Sequence, residues 1–260
     1  MNGRIRITIL LAIALLTTAT AYPQSKTPET LEGRAIIITF DDGPRAWILP
    51  KILEFLKKEK IPAAFFVNCS KFEANEAQED FVFGEYQEGH GVANHTYGHD
   101  NMPKYVQKKG MQWVMREEVE RCSKMIRNVT GYEPRFFRPP FWAINDTIHA
   151  ELTSRGYIVQ RLDNASLDKE ERVFRDVNTS DYVFHEKYLK NPSEATGALV
   201  VKIRKIIAAR ERDGVTIHVL TFHELPVSLE ALKILVPEWR ANDYQFQTLP
   251  WLYKVNGYGK

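Results

Sequence analysis

The sequence predicts an α/β fold on mainly parallel strands, most simply a distorted, incomplete (β/α) barrel in one domain. Three observations carry this. Short apolar, β-branched runs alternate with amphipathic stretches along the 260 residues. The first strand, helix and second strand fit within ~30 residues, the signature of a βαβ unit and hence of parallel pairing. Acids, histidines and an arginine stand at the ends of successive strand-like runs, where such folds carry their chemistry.

The elements follow in order. Residues 35–40 are a continuous apolar run, as expected of a strand buried on both faces. Beyond Asp42-Gly43-Pro44, the residues Ile48, Ile52, Leu53, Phe55 and Leu56 recur at helical spacing. Lysines follow where the helix dipole favours them. Residues 62–67 form a second strand, and Gly91-Val92-Ala93 a short third one before His95. Met111, Met115, Val119, Cys122, Ile126 and Val129 mark one face of a long amphipathic helix. Phe136-Phe137 leads into Arg138. Asn145 caps a helix through Leu152 that Gly156 ends. Tyr157-Ile158-Val159 is a strand, 194–213 a helix, 215–222 a strand leading into His223, 229–239 a helix, and 244–249 a last strand. The segment 168–193 has many charges and aromatics and weak periodicity; it reads as an insertion over one face.

The ends and the bulk composition narrow the function class. Arg4 and Arg6, the apolar run 7–16 and Ala19-Thr20-Ala21 read as a secretory signal peptide over 1–21, ahead of a polar tail at 22–33. The main domain is 34–260. An exported protein, periplasmic or extracellular, is expected, without stable membrane insertion once the signal is removed. Removing the two signal arginines from 35 Lys+Arg leaves 33, equal to the 33 Asp+Glu, so nothing argues for nucleic acid or an anionic membrane as partner. Cys69 and Cys122 either form one bridge or are buried as two small apolar residues.

The chemistry begins with Asp41 and Asp42, adjacent carboxylates at the end of the first strand. Successive side chains of extended backbone point oppositely, so the two are expected to face different partners. His95 and His99, four apart, would share one face of a helical turn. Two histidines and one carboxylate form a common catalytic metal set. A divalent cation would relieve the repulsion between the two acids and leave one of them free as a general base. His223, at another strand end, could be the general acid, and Arg138 could hold the base. Tyr97, Phe141 and Trp142 either line a sugar subsite or pack in the core. A role over the cleft is also considered for His185, in the presumed insertion.

Four motifs in order, Thr39-Phe40-Asp41-Asp42-Gly43-Pro44, His95-Thr96-Tyr97-Gly98-His99, Arg138-Pro139-Pro140-Phe141 and Thr221-Phe222-His223, resemble those of the NodB-type polysaccharide deacetylases, carbohydrate esterase family 4. The likeness spans roughly residues 34–250. It implies Asp41 as catalytic base, and Asp42, His95 and His99 as ligands of a divalent metal, usually zinc, with cobalt or another ion as alternatives. It further implies Arg138 as the holder of the base, the Phe141 N–H as oxyanion donor and His223 as general acid. Pro140, Phe141, Trp142, Tyr97 and Thr221 are the candidate substrate contacts. The family's D-x-x-D-W element, whose second Asp tunes the catalytic histidine, is placed in RLDNASLDKE, with Asp168 as that Asp and Asp163 as the alternative. Thr221 stands where the family usually has an aliphatic residue lining the acetate pocket.

The activity so implied is metal-dependent removal of N-acetyl groups from a polysaccharide, with peptidoglycan N-acetylglucosamine as substrate. Deacetylation of chitin oligomers, O-acetyl esterase activity on xylan and inactive glycan binding are the alternatives.

Overall fold

The computed structural model describes residues 33–73, 75–161 and 174–255. The expected signal peptide, the tail up to residue 32, and Asp163 and Asp168 lie outside these residues. Among the described residues, no helix is long and apolar enough to cross a membrane.

Among the described residues, eight parallel strands form one curled sheet: β1 (Arg34–Gly43), β2 (Ala63–Val67), β3 (Gly91–Asn94), β4 (Phe136–Phe137), β5 (Ile158–Val159), β6 (Phe174–Asn178), β7 (Ile217–His223) and β8 (Tyr244–Phe246). Their order is β5-β4-β3-β2-β1-β7-β6, with β8 beside the start of β1. Among the described residues, edge strands β5 and β6 do not pair with each other, and the sheet does not close there. The helices are α1 (Leu49–Glu59), α2 (Glu76–Gln87), α3 (Met102–Lys109), α4 (Met111–Val114), α5 (Arg121–Thr130), α6 (Asp146–Ser154), α7 (Tyr182–Lys190), α8 (Pro192–Arg212), α9 (Pro226–Ala241) and α10 (Leu249–Val255). The stretch from α4 to α5 is continuous through a π-helical turn, Met115–Glu120.

Strand parity decides what the curl encloses. On β1, Ile36, Ile38 and Phe40 pack in the main core with α1, α8 and α9. Ala35 and Ile37 face the other way, into a core with Ala64 and Phe66 of β2 and Ile217 and Val219 of β7. Leu249, Trp251 and Leu252 of α10 join that second core. Farther along, the same parity of β1 gives Thr39 and Asp41, and that of β7 gives Thr221 and His223. The concave face is therefore apolar at the N-terminal ends of its strands and polar at their C-terminal ends. Asn145, predicted as a cap, accepts from Ile148 N at 2.9 Å.

The segment 168–193 differs from its expected form. Part of it, Phe174–Asn178, is edge strand β6, paired with Ile217–Thr221 of β7, while Tyr182 and His185 of α7 line the cleft. The charged Arg175 and Asp176 at this short edge strand hide the pattern of a buried run. The helices α2 and α3 were not anticipated.

The open cysteine question has an answer: Cys69 and Cys122 form a disulfide. It ties the turn after β2 to α5 across a sequence separation of 53. Loss of this cross-link is expected to cost about 2–4 kcal/mol, mainly by freeing the unfolded chain. Urea titrations with and without reductant would read this as a lower midpoint.

Candidate active site

Asp41, Asp42, His95, Arg138 and His223 all stand at the C-terminal edge of the sheet. At the end of β1, Asp41 pairs with Phe66 and Gly43 with Val67, so Asp42 is the extra residue of a bulge. Its φ is +65°, in the left-handed region. Simple strand alternation is thus not what separates the two acids. The bulge redirects Asp42, and both carboxylates end near His95: Nε2 lies 4.0 Å from Asp41 Oδ2 and 3.4 Å from Asp42 Oδ1.

Arg138 follows β4 and is fully buried. Its Nη1 donates to Asp41 Oδ1 at 2.5 Å and to Thr39 Oγ1 at 2.9 Å. The guanidinium lies over the Phe66 ring, 3.9 Å from its centroid, and 4.8 Å from that of Trp142. One Asp41 oxygen is thereby held while Oδ2 faces the cleft side.

The histidine pair is not on a helix. His95 to His99 form an irregular loop in which Thr96 and His99 both have positive φ. Its backbone is held from three directions. Thr96 N donates to Asn94 Oδ1 at 2.7 Å, and His99 N to Thr96 Oγ1 at 3.0 Å. Cys69 N and Ser70 N donate to the carbonyls of Thr96 and Tyr97. Tyr97 N donates to Glu118 O at 2.8 Å and Gly98 N to Glu118 Oε2 at 2.7 Å. Glu118 belongs to the π-helical turn, a device that re-aims one residue of a helix. Sequence reasoning missed it because a glutamate on a helical face reads as solvated.

His95 Nδ1 stands 2.7 Å from Arg138 O, which makes it an N–H donor and leaves Nε2 facing Asp42. His99 Nε2 is 2.9 Å from Asp42 Oδ1. Oδ1 is nevertheless buried without a hydrogen-bond partner, because neither approach is aligned as a hydrogen bond. The donor atoms of Asp42, His95 and His99 all lie within 4.8 Å of one another. One carboxylate and two imidazoles with an orphaned oxygen between them fit a zinc-type divalent cation. Burial alone would raise the Asp42 carboxyl; the two imidazoles outweigh it and hold the group well below the ordinary carboxylate range.

His223 ends β7. Its Nδ1 lies 2.6 Å from Asp181 Oδ1, and its backbone N–H donates to Asp181 Oδ2 at 2.6 Å. Ser228 Oγ donates to the same carboxylate at 2.5 Å. Asp181 is fully buried. Among the described residues the acid beside His223 is Asp181; Asp168 and Asp163, expected in this role, lie outside those residues. Asn178-Thr179-Ser180-Asp181-Tyr182 carries the D-x-x-D-W pattern, with Asn for the first Asp and Tyr for Trp. That signal was available in the sequence, but it sat inside the stretch read as an insertion.

Burial opposes the charged form of His223, but Asp181 outweighs it. With further help from Asp41 and Asp42, the imidazolium pKa is pushed up to about 9. A cation on Asp42 would offset that residue's share and leave that of Asp181. Asp181→Asn is therefore expected to lower the His223 pKa. The alkaline limb of the pH–rate profile would move to lower pH, since the proton to be donated is lost earlier. A profile whose alkaline limb does not move would show that Asp181 only supports the fold.

The cleft holds about 500 Å³ and is lined by Asp41, Asp42, His95, His99, Phe141 and His223 among others. Trp142, Thr221 and His185 line it as well. Phe141 is 65% exposed with its ring edge-on to His99, as a rim residue would be. Thr221 Oγ1 is buried with no hydrogen-bond partner, so the wall there carries a hydroxyl. Two candidates fall elsewhere. Tyr97 packs against the main core under Arg121, and its OH donates to Glu73 Oε2 at 2.5 Å. Pro139 and Pro140 are both buried, and of the two Pro139 lines the cleft.

Comparison with known proteins agrees with this geometry. The polysaccharide deacetylase family model matches residues 29–159, half of the chain. A peptidoglycan-N-acetylglucosamine deacetylase of Bacillus cereus is 24% identical over 224 residues, 85% of this chain and 69% of that protein. The peptidoglycan deacetylase PdaC of Bacillus subtilis shares the fold with a TM-score of 0.64 at 21% identity, over 88% of this chain and 94% of that one. So does a carbohydrate esterase family 4 pseudoenzyme of Bacillus anthracis, with a TM-score of 0.63 at 18% identity, over 84% and 65%. The fold alone is therefore compatible with an inactive protein, and the argument for chemistry rests on the residues of the cleft.

Proposed function

We propose, from the premise that the chain belongs to the polysaccharide deacetylase family, that it is a metal-dependent hydrolase of N-acetyl groups on N-acetylglucosamine residues of peptidoglycan. The observation that carries this is the complete set at one sheet edge: an arginine-held carboxylate, an Asp-His-His cluster with an orphaned oxygen, and a histidine backed by a buried acid. The name of the Bacillus cereus relative supports the choice of glycan.

When bound, a divalent ion at Asp42, His95 and His99 would supply Lewis-acid polarisation of the acetamide carbonyl and of water. The chain's residues do the rest. Asp41 Oδ2 takes a proton from the attacking water while Arg138 keeps Oδ1 in place. The water oxygen bonds to the acetyl carbon, and the Phe141 N–H stabilises the developing oxyanion. His223 Nε2 then gives its proton to the amine nitrogen as the C–N bond breaks. Acetate and a free amino sugar result, with the proton from Asp41 available to restore His223.

Export to the periplasm or beyond belongs to this reading. The apolar run 7–16 and the Cys69–Cys122 disulfide, at home in an oxidising compartment, support it.

Acetate release from peptidoglycan, N-acetylchitooligosaccharides and acetylxylan, with and without a chelator, tests the proposal. Release from peptidoglycan that a chelator stops and added zinc or cobalt restores is the expected result. Chelator-resistant release would overturn the metal dependence. Release confined to acetylxylan would make the protein an esterase. No release from any substrate by metal-loaded protein would leave glycan binding as its role.

A further inference from the structure

The turn that carries Asp41 and Asp42 rests on a residue with no part in the mechanism above. Glu224 directly follows His223 and is fully buried. Its Oε2 accepts the Arg45 backbone N–H at 2.6 Å. The Arg45 guanidinium reaches Asp42 Oδ2, at 3.6 Å, which leaves Oδ1 to the side of His95 and His99. Lys71 Nζ also donates to the Asp42 carbonyl oxygen.

Gly43 shows how closely Glu224 fits. The residue is not at positive φ, so its backbone does not demand glycine. A Cβ there would collide with Glu224 Oε1 and lie 2.7 Å from its Cδ; the three nearest atoms all belong to the Glu224 side chain. Position 43 is a glycine because Glu224 occupies the space that a side chain would need.

We propose that Glu224 is a positioning residue: it fills the space under the Asp41–Asp42–Gly43 bulge, anchors Arg45, and so holds Asp42 in its left-handed conformation with Oδ1 aimed at the metal site. This rests on the metal reading of Asp42, His95 and His99. A bulged, left-handed aspartate carries backbone strain and persists only where its surroundings over-determine it. Glu224, through Arg45, supplies that constraint together with Lys71. Outer-shell partners of this kind typically change metal affinity or activity by about 10–100-fold when removed.

The test is metal affinity, measured by competition for Zn²⁺ with a chromophoric chelator, together with the visible absorption spectrum of the Co²⁺-loaded protein. Glu224→Ala is expected to weaken Zn²⁺ binding by about 10–100-fold and to alter the Co²⁺ spectrum. Glu224→Gln keeps an oxygen for the Arg45 N–H and is expected to restore most of both. Gly43→Ala should weaken binding much as Glu224→Ala does, and Gly43→Ala combined with Glu224→Ala should be no worse than Glu224→Ala alone, because the clash is gone. Wild-type affinity and spectrum in folded Glu224→Ala would overturn the proposal. Gln as damaging as Ala would overturn it too, as would additive losses in the double variant. If the wild-type protein itself binds no Zn²⁺, the metal reading fails, and this inference with it.

Discussion

Asp41→Asn is expected to lower kcat by about 10³-fold, within the 10²–10⁴ range of general acid–base catalysis, while leaving metal binding in place. The substitution is nearly isosteric. Asn Oδ1 can still accept from Arg138 Nη1, so the held half of the side chain keeps its partner. The other half changes from an oxygen that takes a proton to an amide that cannot. Asp41 is not one of the three clustered donor atoms, so the cation should remain. The signature is thus a metal-loaded, folded and nearly inactive protein. Rate and metal content measured on the same sample check it. An active Asp41→Asn protein would remove Asp41 from the role of base.

The second large effect belongs to the donors. Changing His95 and His99 together to Ala leaves Asp42 alone and should weaken metal binding by more than about 100-fold, beyond the loss usual for an outer-shell change. Activity should disappear with it. A separate readout is thermal: a ligand at ~1,000 times its Kd stabilises the native state by about 4 kcal/mol. The wild-type melting temperature should rise with added zinc, and that of the double variant should not. Zinc bound stoichiometrically by the double variant would sink the ligand assignment.

Both predictions start from residues that were legible in the sequence, for a physical reason. Asp41, Asp42, His95, His99, Arg138 and His223 lie within short motifs at the ends of apolar runs, so local pattern and chemistry coincide. The residues that hold them were not legible. Glu118 meets the histidine loop across 20 residues of chain, and Glu224 meets Arg45 across 179. Each is a common surface residue type whose meaning comes only from what folding puts beside it. Asp181 is intermediate: Asn178-Thr179-Ser180-Asp181-Tyr182 fits the motif, but a charged edge strand just before it suppressed the strand signal that would have drawn attention there.

The parallel α/β plan, the family resemblance and the acids, histidines and arginine at the strand ends are all legible in the order of the residues. Periodicity and motif order are local properties, and they survive without coordinates. How those groups are aimed depends on the folded chain. The structure showed that a bulge, not strand alternation, turns Asp42 into the cleft, and that an irregular loop, not a helical turn, sets His95 beside His99. It placed Tyr97 in packing and made Asp181 the partner of His223. It joined Cys69 to Cys122. Side-chain direction depends on individual φ values and on partners distant along the chain, and neither is written in the spacing of residue types.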